Sequence, residues 1–351
     1  MEIRINEKPK LYEVGNLWQK KVYQHMALFL YKKNVKNFGQ SFAGTQYKHL
    51  LTEKESEKNF INDDIYRATI ERFNNHKAGD LHRILTNTAA SQTYCFNLFI
   101  YLKQDSSLAD KLFSNLLGKE IKVKHLEPEF TPNQCDKISG FERKDDESIG
   151  DQNGNMGTDA DIAIFYTYDN NKKGVLLIEF KFIEHEFSVC TSFKNKEKIK
   201  LSCKSETFYI DLIDKKVEKK DYSCGYKKYF NWRLTQKSEV ISNNKVKLSS
   251  SCPFRLGLNQ LWRNMLLAEQ VSNARSCDEF SFWVLSPRAN DKYLWEEGKI
   301  EKQFREILTE KGNNNFQKFH LETIFDNLKA IVIEENDKNW LNELELKYRI
   351  E

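Results

Sequence analysis

The stretch Gly157 to Phe182, GTDADIAIFYTYDNNKKGVLLIEFKF, decides how the chain reads. It divides into two strands and a polar turn. Ile162 to Tyr168 is β-branched and aromatic, a composition that suits a pleated, half-buried surface. Asp169 to Gly174 is the turn, with Gly174 supplying backbone freedom at its end. Val175 to Phe182 is apolar on both faces, the pattern of a central strand covered on both sides. The first strand opens on a carboxylate, Asp161. The second closes on Glu179 and Lys181.

Alternation along a strand puts Val175, Leu177, Glu179 and Lys181 on one face. Burying Glu and Lys at the end of an apolar strand is costly unless they are paired or hold a metal. A turn centred near Asn171 sets Asp161 roughly opposite Lys181 and Ala163 opposite Glu179. Asp161 and Glu179 are then diagonal neighbours, about 7–8 Å apart at the backbone. Ala163 leaves room beside Glu179. A one-residue slip would turn Asp161 to the other face, which leaves Asp159 as its competitor.

Two converging carboxylates select a hard cation, Mg²⁺ or Mn²⁺, and the Phe180 backbone carbonyl can complete the site. Such a cation polarises a phosphoryl oxygen and lowers the pKa of bound water. Lys181 can orient that water or offset transition-state charge. The bland alternative is a Glu–Lys surface ladder at a strand end.

Outward from the hairpin, apolar spacing predicts helices over 17–33, 65–74 and 81–117, the last broken near Gln104 to Ser107. Ile121 to Phe130 and Ile138 to Arg143 read as strands. Glu184 to Pro253 reads as a polar, Lys-rich insertion. Leu256 to Gln270 is a broad-faced helix and Phe280 to Leu285 a strand stopped by Pro287. Helical patterns close the chain at 296–308, 324–331 and 340–348. The division expected is a mainly helical 1–78, a core over 79–295 with its insertion at 184–254, and a helical 296–351 packed on that core. Short strands with flanking helices give an α/β fold around a mixed sheet.

The chain has 351 residues, 40% hydrophobic and 30% charged, ordinary values for a folded protein. A net charge of +4 permits nucleic-acid binding without arguing for it. Lysines concentrate at 194–204 and 215–228, opposite an acidic Asp145 to Asp151. No run approaches the roughly 18 apolar residues of a membrane span, and the N-terminus shows no secretory pattern. Seven cysteines without such a signal point to a reducing, cytoplasmic setting. Four of them, Cys190, Cys203, Cys224 and Cys252, fall in or beside the insertion. They offer a structural zinc site, or less readily an iron–sulfur cluster, although no close CxxC pair is present.

The order helix, three strands, insertion, helix, strand, with Asp161 and Glu179-Phe180-Lys181 on the middle strands, resembles the αβββαβ core of the PD-(D/E)xK phosphodiesterase superfamily. Ala160 stands where the motif's Pro would be. Ser91-Gln92, Asn97-Leu98-Phe99, Gly157-Thr158, Cys252-Pro253-Phe254 and Gln260-Leu261 with Arg263-Asn264 resemble a bacterial branch of restriction endonucleases, over roughly residues 45–330. The resemblance implies Mg²⁺-dependent cleavage of DNA, less often RNA, in restriction or defence. It implies a catalytic set of Asp161, Glu179 and Lys181, with Gln260 reaching the site from the following helix. Gln92, or else Glu142, stands in for the superfamily's extra acid. Arg263, Lys194, Lys196 and Lys198 are the expected phosphate contacts, His185 a further candidate base or ligand, and duplex cutting would favour a homodimer. The alternatives are a non-catalytic nucleic-acid-binding protein on this fold and an RNA-directed nuclease.

Overall fold

Helix α1 (Leu17–Lys32) begins at a reciprocal cap, in which the Asn16 side chain accepts from the Gln19 backbone and Gln19 bonds back to Asn16. A small two-stranded sheet follows, β1 (Phe38–Gln40) antiparallel to β2 (Gln46–Leu51). This sheet was not legible as strand in a region whose spacing reads as helical. Helices α2 (Asp63–His76), α3 (Leu81–Thr86), α4 (Ser91–Gln104) and α5 (Ser106–Leu117) come next. Asp105 separates the last two, and its side chain caps α5 by accepting from Leu108 N–H.

The central sheet contains β3 (Lys122–Phe130), β4 (Ala160–Tyr168), β5 (Lys172–Phe180), β6 (Glu279–Ser286) and β7 (Phe316–His320), in that spatial order. The first three strands are antiparallel; β6 and β7 add in parallel. The sheet is therefore mixed, with β5 at its centre, as its two-faced apolar pattern predicts. Between β5 and β6 lie α6 (Thr191–Asn195), α7 (Glu197–Lys204), α8 (Tyr226–Lys237), α9 (Asn243–Lys247) and α10 (Leu258–Ala274). The chain closes with α11 (Asp291–Leu294), α12 (Lys299–Ile307), α13 (Glu310–Asn315), α14 (Leu321–Ile331) and α15 (Glu335–Tyr348). This computed structural model describes residues 9–76, 81–132, 138–144, 159–209, 224 and 226–350. The acidic run at 145–151, the Gly157-Thr158 pair and most of the Lys-rich 215–228 lie outside the described residues.

Each face of the sheet carries its own core. Ala163, Phe165, Val175 and Leu177 pack under α10 with Leu261, Met265 and Ala268. Ile162, Ile164, Leu176 and Ile178 pack under α4, together with Trp18 of α1 and Leu344 of α15. Each fully buried Leu, Ile or Phe contributes about 1.5–3 kcal/mol, so two continuous layers hold the β4–β5 hairpin rigidly.

Three expectations are corrected. Residues 138–143 form a turn rather than a strand, with Gly140 at φ +87° and Phe141 N–H bonded to the Ile138 carbonyl. The hairpin turns one residue earlier than Asn171, because Asp169, Asn170 and Asn171 all take left-handed φ. Ile162 pairs with Ile178 and Ala163 with Leu177, so the register sets Asp161 across from Glu179 directly rather than diagonally. Gly174 has no turn role either. It pairs with Tyr166 in the ladder, and a Cβ there would sit 2.2 Å from the Tyr166 ring.

Candidate active site

The two-residue difference in register keeps every side chain on its face, so Asp161 and Glu179 share the α10 side at one end of the sheet. Asp161 Oδ2 accepts the Phe180 backbone N–H at 2.6 Å, which fixes the carboxyl beside the strand carrying Glu179. Glu179 is 2% exposed, and both of its oxygens are engaged. Lys181 Nζ and Gln260 Nε2 each approach Oε1 at 2.6 Å, and Asn264 Nδ2 donates to Oε2 at 2.5 Å. Gln260 and Asn264 lie one turn apart on α10, so one helix face holds both carboxylate oxygens. Gln260 Oε1 in turn accepts from Ser188 N–H at 3.1 Å, which anchors the loop after β5.

Glu129 completes the group from β3. Arg72 of α2 donates to the carbonyls of Pro128 and Glu129, and Glu129 sits at φ +51°, an unusual conformation for a non-glycine residue. Gln92 of α4 donates to Glu129 Oε1 at 3.0 Å. Gln92 therefore reaches the site by positioning an acid. The neighbouring Glu127 is neutralised separately, by Arg72 at 2.6 Å and Lys103 at 2.8 Å.

The electrostatics are those of crowded carboxylates. Burial raises Glu129 to about 7, with Asp159 and Glu179 adding to the rise against Gln92 and Arg72. Asp161 as a residue is only partly buried, yet burial of its carboxyl lifts it well above the usual carboxylate range. Glu179 pushes it further, and Lys181 opposes. Burial alone would lower Lys181, but Glu179, Glu184 and Asp161 outweigh it and keep the ammonium protonated.

The segment after Lys181 is clamped. Ser91 Oγ donates to Glu184, the Phe182 N–H reaches both of these side chains, and Trp18 Nε1 donates to the Phe182 carbonyl at 2.8 Å. His185 is exposed and contacts Gln19 at 3.3 Å. It borders a cleft of about 680 Å³ with Phe187, Ser251, Arg255 and Lys299.

Asp159 is exposed, and its charge is felt by Glu129. Glu142 stands apart: it is exposed and accepts the Gly140 N–H within its own turn. Arg263 is partly buried on α10, and Lys194, Lys196 and Lys198 are exposed on and between α6 and α7. Among the described residues, no three His, Cys, Asp or Glu side chains form a ready metal-holding group, and the four insertion cysteines are not gathered into one. Their spacing had left that assembly open; Cys203 and Cys252 come together as neighbours, and Cys224 is close enough for its charge to act on Cys252.

Two residues escaped sequence reasoning as site members. Glu129 carried a signal: Glu127-Pro128-Glu129 puts charge at the buried end of a strand, the same anomaly that marks Glu179 and Lys181. Asn264 carried another, four residues after Gln260 on one helix face.

A mixed sheet whose central hairpin gathers an Asp, a Glu and a Lys under a helix-borne Gln is the architecture of a phosphodiesterase-type hydrolase. The family model described as "PD-(D/E)XK nuclease superfamily" matches residues 16–349, nearly the whole chain, and the chain belongs to that superfamily. No curated protein and no solved structure matches it. Among the described residues, no helix is long and apolar enough to cross a membrane.

Proposed function

We propose that this chain is a Mg²⁺-dependent nuclease that hydrolyses phosphodiester bonds in DNA, in a bacterial restriction or defence role. The observation that carries the chemistry is the facing of Asp161 and Glu179 across the hairpin, with Lys181 2.6 Å from Glu179. The donor chemistry suits a hard cation: the Asp161 and Glu179 carboxylates and the Phe180 carbonyl would hold it, with Glu129 nearby, although among the described residues three acids are not gathered around one point. The raised Asp161 and Glu129 carboxyls argue for it too, since one ammonium faces three acids and a divalent ion supplies the missing positive charge. When bound, that ion polarises the phosphoryl group and acidifies water.

The chain's own residues do the rest. Gln260 and Asn264 hold the Glu179 carboxylate in place. Lys181, kept protonated, offsets charge on the phosphoryl oxygens and orients the attacking water. Exposed Lys194, Lys196 and Lys198 supply phosphate contacts, with Arg263 closer to the site. A non-catalytic binder on this fold would need no such convergence, so the Glu179–Lys181–Gln260 contacts favour an enzyme. The DNA preference and the defence role rest on the resemblance to bacterial restriction endonucleases.

The test incubates the full chain with plasmid DNA and MgCl₂, beside EDTA controls and the Lys181→Ala and Glu179→Ala variants. Cleavage by the wild type, lost in EDTA and in both variants, is expected. Equal cleavage by variants and wild type would sink the assignment. Labelled RNA in parallel separates the RNA-directed alternative.

A further inference from the structure

Away from the carboxylates, the described residues hold a second group of reactive side chains. Cys203 lies in the last turn of α7, and Cys252 stands just before the turn that leads into α10. The Cys252 backbone N–H donates to the Cys203 carbonyl at 2.9 Å, which makes the two residues direct neighbours. Their thiols also influence each other, lowering Cys203 and raising Cys252. Arg255 is held beside the pair, because its Nη1 donates to the Cys252 carbonyl at 2.7 Å and to Ser251 Oγ.

The two thiols are chemically unequal. The Cys252 side chain lowers Cys203 against the effect of burial, and Arg255 adds to the lowering. The Cys203 side chain and burial raise Cys252. A thiolate-prone sulfur beside a second thiol is the arrangement of a nucleophile and its resolving partner. Both side chains are buried, and the neighbours Ser251, Pro253 and Arg255 line the cleft of about 680 Å³.

We propose that Cys203 and Cys252 form a thiol oxidation site, at which hydrogen peroxide converts the pair to a disulfide. The Cys203 thiolate attacks one peroxide oxygen, the O–O bond breaks, and the departing oxygen leaves as water after taking a proton. Cys203 is then a sulfenic acid. Cys252 loses its proton and attacks that sulfur, the S–O bond breaks, and a second water leaves. Two thiols are oxidised by two electrons and one peroxide is reduced to two waters. The product staples α7 of the insertion to the entry of α10, the helix that carries Gln260 and Asn264. This site does not depend on the nuclease reading.

The test exposes the folded full chain to hydrogen peroxide, quenches it by alkylation, and maps the peptides by mass spectrometry. The expected result is a Cys203–Cys252 linked peptide pair, reversed by dithiothreitol, with loss of two of the seven titratable thiols. In Cys252→Ser, Cys203 is expected to be trapped as a sulfenic acid by dimedone. Recovery of both cysteines alkylated from oxidised wild type, or a link from either to another cysteine, overturns the proposal. If Cys252→Ser does not fold, the wild-type map decides alone.

Discussion

Gln92 on α4 donates to the Glu129 carboxylate on β3 at 3.0 Å, so an amide from one layer sets the position of an acid in the next. The two residues are far apart in sequence and belong to different elements. Their contact brings a third carboxylate toward Asp161 and Glu179, whose charges are felt across the group. A metal-free protein with this arrangement is under electrostatic load.

That load gives a pH prediction with a definite sign. Burial pushes the Glu129 carboxyl up to about 7 in the fold, from an ordinary value of 4.5. Between these values the folded chain binds the extra proton, so stability is highest at the acid end of the window. It falls as pH rises toward 7 and levels off above it. The shift corresponds to at most about 3 kcal/mol. Asp161 is raised too and acts in the same direction, so Glu129→Gln should reduce the slope rather than abolish it. Urea midpoints at pH 5, 6, 7 and 8 measure this, and an unchanged slope in Glu129→Gln would refute the assignment. Added MgCl₂ should stabilise more at pH 8 than at pH 5, because the cation competes with these protons.

How much of this was readable from sequence depends on the range of the interaction. The central strand was legible because Val175 to Phe182 is apolar on both faces, and the facing of Asp161 and Glu179 survived an imperfect register because a shift of two keeps the face. Strand β7 was hidden: FQKFH is short and mostly half-buried, with polar residues inside it. Residues 138–143 looked like a strand from Ile138 and Phe141, yet Gly140 turns the chain there. Gln92 stood out as a polar residue on an apolar helix, but only tertiary structure reveals that its partner is Glu129.

The α10 face makes a second prediction. Asn264 is 2% exposed and donates to Glu179 Oε2. Asn264→Ala leaves a buried carboxylate oxygen without its donor, at a cost of about 1–3 kcal/mol. Gln260 is less buried, so water can replace its amide in Gln260→Ala and the loss should be smaller. Chemical denaturation of the two variants ranks them, and the reverse order would contradict the geometry.

Lys181 and Glu179 should separate by function. Lys181→Met removes the ammonium but leaves the carboxylates, so Mg²⁺ binding measured by calorimetry should persist while cleavage falls by at least about 100-fold. Glu179→Gln removes a ligand and should weaken Mg²⁺ binding itself. Glu179→Gln also leaves the buried Lys181 short of its partner, and breaking such a pair typically costs about 3–5 kcal/mol. Thermal melts without metal should therefore show Glu179→Gln destabilised. Full Mg²⁺ affinity in that variant would remove Glu179 from the ligand set.

The hairpin itself can be tested at Gly174. This glycine lies opposite Tyr166 in the ladder, and the ring covers the space that a side chain would take. The Tyr166 hydroxyl is tied down by a 2.6 Å bond to Glu279, so the ring cannot swing away without losing that partner. Gly174→Ala would put a methyl group within 2.2 Å of a ring carbon, and either the ring or the strand must move. Overpacking of this kind costs about 1–3 kcal/mol. Glycine has no positive φ to protect here, so the whole effect is steric. Tyr166→Ala alone should also destabilise, through lost packing, but Gly174→Ala in that background should be neutral or stabilising, since alanine suits a strand better than glycine. A double-mutant cycle read by urea denaturation measures the difference, and additive losses would show that the ring does not set the requirement for glycine.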